Sequence, residues 1–228
     1  MKKILFIGDY DKTDLMFYIA KLISQAQEKK VLIADCTVTS RYEFAYPKVE
    51  MASLLQEYDH FDIAEGLSSY SDLDAILKND EYDIVLIDVE NEEALRNWPA
   101  ADLYYLVSSF ENPVMRKNEK LIQSYFQEKP ASELYPFSKI IFEVHGTQNE
   151  TYLNDLLDKH PIHWGDTLTY YPDERDLTRK INNQFSSKVI LKGLSGPYKD
   201  VIKTVVSHIL ELSAKETMNL WKQAERSK

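Results

Sequence analysis

Short continuous apolar runs alternate with amphipathic stretches along most of the chain. The first run, Lys2 to Ile7 (KKILFI), stops at Gly8, and apolar residues recur at helical spacing from Leu15 to Lys30. A second run, Val31 to Thr37 (VLIADCT), follows at once. Strand, loop, helix and strand within the first 37 residues predict a βαβ unit. Further on, the pattern predicts a short strand over Phe61–Leu67 and a Ser-capped helix over Ser68–Asp80 with Leu73, Ile76 and Leu77 on its apolar side. Tyr82–Glu90 has a continuous apolar middle, Ile84 to Ile87, as a strand buried on both faces requires. A helical turn is predicted at Asn91–Trp98, strands at Ala101–Ser109 and Phe137–Gly146, and helices at Asn112–Phe126 and Glu150–Asp158. Met51–Glu57 reads as a turn of helix, Ile162–Leu177 as a short edge strand with a turn, and Ser187–Leu194 as a late strand. Gly196-Pro197 opens a helix over residues 197–226. The expected fold is α/β: a single domain, residues 1–228, with a doubly wound, mostly parallel sheet flanked by helices.

Charge and cysteine count narrow the chemistry. A net charge of −10 argues against a surface covered in nucleic-acid contacts, which need clustered Lys and Arg. The single Cys36 excludes an internal disulfide and a cysteine-based zinc site, and the five histidines show no metal spacing. No Ser/His/Asp or Cys/His arrangement can be read. The apolar run after Met1-Lys2-Lys3 is too short for a signal peptide or a membrane span, so a cytoplasmic location is expected.

The loop Gly8 to Asp14 (GDYDKTD) carries the candidate chemistry. In an open parallel sheet, the loop after the first strand is where a phosphate is held. A P-loop reads G-x-x-x-x-G-K-[ST], with backbone N–H groups wrapping the phosphates and the hydroxyl on Mg²⁺. Placing Lys12 and Thr13 on its last pair puts Phe6 and Asp11 where the glycines belong. Gly8, Lys12 and Thr13 are thus the candidate nucleotide-binding residues, and Thr13 and Asp88 the candidate Mg²⁺ residues. Asp35 and Asp88, each at a strand end, are the candidate catalytic carboxylates. Plainer roles stand beside these: Lys12 as a solvated loop residue, Thr13 or Asp14 as helix caps, and Asp35 and Asp88 as acceptors for loop backbone.

The order of these elements resembles the ParA/MinD family of P-loop ATPases over roughly residues 1 to 185. The family loop KGGVGKTT aligns with Ile7 to Asp14, its second strand with Val31–Asp35 and its Walker-B strand with Tyr82–Asp88. The resemblance implies ATP, Mg²⁺, a dimer and protein partners. The chain departs from it at the family's signature Lys (Ile7), at two glycines (Asp9 and Asp11), at the second Asp of D-x-D (Thr37) and at the Gly after the Walker-B strand (Glu92). Asp9, Asp11 and Asp14 add like charge, and one unit repulsion at about 6 Å and an effective dielectric near 20 is roughly 2.8 kcal/mol.

Three readings follow. One is a non-catalytic or weakly active ParA/MinD-like scaffold or positioning factor, with Tyr42–Tyr46 and Thr167–Asp176 as candidate contact surfaces. A second is a divergent Mg-ATPase switch using Lys12, Thr13 and Asp88; a third is a receiver-like domain built on Asp9, Asp11 and Asp88. A protein partner or homodimer is expected. Membrane contact through Leu220 and Trp221 of the C-terminal helix ranks behind packing of that helix on the domain.

Overall fold

The computed structural model describes residues 1–27, 29–48, 54–130, 132–142 and 146–226. Eight strands form one sheet in the order β3-β4-β2-β5-β1-β6-β7-β8. They are β1 (Lys2–Ile7), β2 (Val31–Cys36), β3 (Leu55–Tyr58), β4 (Phe61–Ala64), β5 (Ile84–Val89), β6 (Leu103–Ser109), β7 (Tyr135–Phe142) and β8 (Ile162–Tyr170). All neighbours run parallel except β3, which pairs antiparallel with β4.

Side-chain alternation divides the core between the two faces. Ile4 and Phe6 of β1 join Ile84 and Leu86 of β5 under α1 (Thr13–Gln27), α7 (Gly196–Leu210) and α8 (Ala214–Arg226). Leu5 and Ile7 join Val85, Ile87 and Val89 on the opposite face. That face is covered by α2 (Tyr70–Asn79), α3 (Glu92–Leu95), α4 (Asn112–Phe126) and α5 (Glu150–Leu157). Strands covered on both sides need apolar residues at every position, which is why β1, β2 and β5 lack polar alternation. The parallel register aligns Phe6, Asp88 and Asp35 across β1, β5 and β2, so the ends of the three strands open at one edge of the sheet.

Several elements differ from the sequence reading. The C-terminal helix is two helices. Glu211 takes a left-handed conformation (φ 56°), the amide of Leu212 returns to the Ser207 carbonyl, and Ser213 and Glu216 cap α8 reciprocally. Ser187–Leu194 is not a strand, because side chains take its backbone donors: Val189 N–H goes to Asp59 and Ile190 N–H to Asn183. Leu55–Tyr58 is strand β3 rather than helix, and residues 51–53 of that predicted turn lie outside the described residues. Where only a turn was expected after β8, helix α6 (Glu174–Asn183) forms, capped by the Asp173 carboxylate on the Arg175 amide.

Of the predicted Tyr42–Tyr46 surface the two tyrosines are interior while Phe44 is exposed, and the C-terminal helix packs on the domain as expected. Tyr42 and Tyr46, on and beside the 3-10 helix Arg41–Phe44, are buried with their rings edge-on to Phe17. Leu220, Trp221 and Ala224 are buried on the inner side of α8, so the apolar side of that helix is spent on packing. Among the described residues no helix is long and apolar enough to cross a membrane.

Candidate functional site

The site lies at the ends of β1, β2 and β5, around the turn from Gly8 to Thr13. Gly8 has φ +151°, and a Cβ there would stand 1.9 Å from the Val107 carbonyl oxygen of β6. Only glycine lets the chain leave β1 this close to its neighbour. The turn is then stapled to α4, where Asn118, fully buried, accepts from the Asp9 amide (2.8 Å) and donates to the Val107 carbonyl (3.1 Å).

Lys12 closes the turn from within. Its side chain has no exposed surface. The ammonium donates to the Gly8 carbonyl at 2.6 Å and meets Asp88 Oδ1 at 2.7 Å, an ion pair off the angle of a hydrogen bond. Glu90 Oε1 lies 3.6 Å away, so two buried carboxylates face one ammonium. Asp88 also accepts from the Tyr42 hydroxyl at 2.9 Å. Burial pushes the Asp88 and Glu90 carboxyls up from their ordinary range, and Lys12 opposes this in both.

Asp11 occupies the start of α1. Its Oδ1 accepts from the Thr13 amide (3.1 Å) and the Thr13 hydroxyl (2.9 Å). Lys180 of α6 binds its other oxygen at 2.6 Å, and Arg41 approaches Oδ1 at 3.4 Å. Burial alone would raise this carboxyl; Lys180, Arg41 and the Thr13 amide outweigh it and hold it well below the carboxylate range. Asp14 shares Lys180 at 3.4 Å and accepts from the Tyr198 hydroxyl at 2.9 Å. Burial nevertheless pushes its carboxyl up. Asp9 is paired with Lys117 of α4. All three loop carboxylates expected to repel a polyanion are thus paired with cations, Asp9 with Lys117, and Asp11 and Asp14 sharing Lys180.

Asp35 stands one strand over from Asp88 and serves loop backbone. Its Oδ1 accepts from the amide and hydroxyl of Thr37, and its Oδ2 from the Gly66 amide at 3.4 Å. Burial and the nearby Asp88 raise its carboxyl to about 6, against the pull of the Thr37 bonds.

The fold therefore brings Gly8, Lys12, Thr13, Asp35 and Asp88 to one end of the sheet. It adds five residues the sequence reading left out: Glu90, Arg41, Lys117, Asn118 and Lys180. Glu90 had a legible signal, standing two residues beyond Asp88 and just past the end of β5. Lys180 had none, since it arrives from α6, a helix the apolar pattern did not announce. In this arrangement Asp88 faces an ammonium, and among the described residues no group of three or more His, Cys, Asp or Glu side chains is placed to hold a metal ion.

The sequence matches no protein-family model and no curated protein. Solved structures resemble the fold. A ParA family ATPase from Chlorobium tepidum superposes with a TM-score of 0.65 at 14% identity, over 91% of this chain and 98% of that one. The MinD cell division protein of Aquifex aeolicus gives 0.60 at 12% identity, covering 93% of this chain and 98% of its own. The MinC:MinD complex of the same organism gives 0.60 at 11% identity, covering 93% and 97%. At these identities the likeness carries the fold: the chain has the α/β architecture of the ParA/MinD ATPases, a mostly parallel eight-stranded sheet between two layers of helices.

Proposed function

We propose that this chain works as a ParA/MinD-like scaffold or positioning factor, acting through protein contacts, with its β1–α1 turn closed by internal ion pairs instead of cycling ATP. The observation that carries this reading is Lys12, wholly buried on Asp88, Glu90 and the Gly8 carbonyl. A phosphate at the start of α1 needs that ammonium and the amides behind it. Moving Lys12 outward strips the counter-charge from two buried carboxylates. Breaking a buried pair costs about 3–5 kcal/mol, which is roughly two to four powers of ten in affinity. Asp11 already takes the Thr13 amide and hydroxyl, and any incoming phosphate competes with it for Lys180 and Arg41. The Mg²⁺ that would accompany a nucleotide does not fit this arrangement of Asp88. A MinD of the same fold is held in a complex with MinC, a precedent for partner docking on this architecture.

A divergent Mg-ATPase is the second reading, favoured by the convergence of Lys12, Thr13 and Asp88 at one sheet edge. Calorimetric titration with Mg²⁺-ATP and Mg²⁺-ADP decides between the two. The scaffold reading expects no heat and no nucleotide-dependent shift in melting temperature. Micromolar binding that disappears in Lys12→Ala would replace it with the switch reading.

A further inference from the structure

A cleft of about 270 Å³ opens between the start of α1, the 3-10 helix Arg41–Phe44 and α6. Its floor is apolar, with Phe17, Tyr18 and Ala45 all buried. Phe44 stands on one wall, 71% exposed. The end of the cleft nearest the β1–α1 turn is charged. Lys180 is committed there to Asp11 (2.6 Å) and Asp14 (3.4 Å). Arg41 is held more loosely. Its one ion pair among the described residues is with Asp11 Oδ1 at 3.4 Å, and 30% of its side chain is exposed. That oxygen already accepts from the amide and hydroxyl of Thr13. Glu90 and Asp88 draw on Arg41 only from further off. A guanidinium is a planar fork of N–H donors that fits a carboxylate with two parallel bonds. Arg41 therefore lines the cleft with most of its fork unspent. An apolar floor, an aromatic wall and a few convergent polar groups are the make-up of a small-molecule site.

We propose that this cleft binds a small aromatic carboxylate, its ring between Phe44 and the apolar floor and its carboxylate on the Arg41 fork. Each part of the ligand answers a group in the wall. The ring takes Phe44 out of water and gives Phe17 and Tyr18 an aromatic neighbour. The carboxylate supplies the two-pronged acceptor that Asp11 does not offer Arg41, because Thr13 takes one of its oxygens and Lys180 the other. Charge limits the ligand to a single anionic group. Arg41 and Lys180 face Asp11 and Asp14, so this end of the cleft has no surplus positive charge, and a phosphate dianion would be repelled by both carboxylates. A neutral ring leaves the fork unfilled. Asn183, on the α6 side, is spent on the Ile190 backbone, so Arg41 is the seat for the carboxylate. Neither Lys12 nor Asp88 lines the cleft, so the site goes beyond the closed turn and does not require it. A ligand bound here ties the 3-10 helix to α6 across the start of α1.

Calorimetric titration of the full chain with benzoate and naphthoate tests the site. Both should bind, naphthoate the tighter, with a Kd of about 1 mM or below. Naphthamide keeps the ring and loses the charge, and should bind about tenfold more weakly than naphthoate. Arg41→Gln should weaken naphthoate by a similar factor, and Arg41→Lys, which keeps the charge without the fork, should recover only part of the loss. Phe44→Ala, at an exposed site whose fold is checked by melting temperature, should also weaken naphthoate. Leu134→Ala, as exposed but at the opposite end of the strands, should leave it unchanged. Phenyl phosphate should bind no tighter than benzoate. The proposal is overturned if neither carboxylate binds at up to about 10 mM, if naphthamide binds as tightly as naphthoate, or if binding survives both Arg41→Gln and Phe44→Ala unchanged, which marks it as non-specific. The naphthoate and naphthamide comparison uses the wild-type chain, so it decides the matter whatever Arg41→Gln does to the fold. Mg²⁺-ATP binding that is lost in Lys12→Ala, with naphthoate still bound by that variant, would overturn the scaffold reading and leave this site standing.

Discussion

Lys12 and Asp88 meet at 2.7 Å with 0% and 1% of their side chains exposed. The pair joins the start of α1 to the end of β5, and Glu90 and the Gly8 carbonyl complete the ring of acceptors. An ammonium so placed neutralises the strand ends from inside. The same placement removes it from the surface where a phosphate would need it.

Removing one partner should therefore cost more than removing both. Lys12→Met leaves Asp88 buried without its ammonium and Glu90 with only the more distant Arg41, and should lower stability by about 3–5 kcal/mol. Lys12→Met combined with Asp88→Asn should recover part of that loss, because one of the two carboxylates is then neutral. Urea denaturation of wild type, Lys12→Met, Asp88→Asn and the double variant gives the coupling energy. If the double variant is less stable than the single by the full cost of a second lesion, the pair is not acting as a unit.

Gly8 and Gly66 both have positive φ but differ in surroundings. At Gly8 (φ +151°) a Cβ meets the Val107 oxygen at 1.9 Å; at Gly66 (φ +66°) nothing lies within 4 Å. Gly8→Ala should cost about 3 kcal/mol or more, since backbone strain and displacement of β6 add. Gly66→Ala should cost only about 1 kcal/mol, from its dihedral alone. Equal melting temperatures for the two variants would show that the turn can move away from β6.

Asp35 makes stability depend on pH in an unusual direction. Its folded carboxyl lies at about 6, against an unfolded value of 3.8. The folded state therefore holds the proton more tightly, and the contribution is fully present below about 4 and lost as pH rises through 6. A shift of roughly two units is about 3 kcal/mol. Asp88 and Glu90, also raised, act with the same sign, while His160, lowered mainly by burial, opposes it and Asp11 loses stability only below the ordinary carboxylate range. Comparing wild type with Asp35→Asn cancels those other groups. The variant should be the more stable of the two at pH 7, keep about half of that advantage at pH 5 and lose it below about pH 4, read by denaturant titration at each pH; a constant difference would rule out a raised Asp35.

The strand framework was legible because burial on both faces leaves a simple trace, unbroken apolar residues as in Ile84 to Ile87. Parallel register then carries Gly8, Asp35 and Asp88 to one edge, so that part of the site followed from the strands. The closing groups did not. Lys180 and Asp11 are joined across most of the chain, and nothing local in α6 announces the contact. The two buried residues of that helix, Asp176 and Asn183, are polar, while Leu177 and Ile181 are exposed, which departs from the pattern by which a surface helix is recognised. Tyr42 and Tyr46 misled for a related reason. A Tyr-rich segment suits a partner surface, but each hydroxyl finds a carboxylate indoors, Asp88 and Glu65, leaving the rings free to pack on Phe17.

Asp11 supplies the sharpest test of how the turn is closed. Its carboxylate sits where the first turn of α1 presents the Thr13 amide and hydroxyl, between Lys180 and Arg41, so it fills an anion position with the chain's own charge. Asp11→Gly should empty that position, returning two cations and two donors to solvent while leaving Lys12 on Asp88. The cost in stability should be modest, about 1–2 kcal/mol, because a third of the Asp11 side chain is exposed and its ion pairs are partly screened. Inorganic pyrophosphate, titrated by calorimetry, should then bind the variant measurably tighter than wild type, with the gain reduced by Lys180→Ala and by added salt. If Asp11→Gly binds pyrophosphate no better than wild type, the barrier to a phosphate lies with Lys12 and its two carboxylates, and the closed turn does not depend on Asp11.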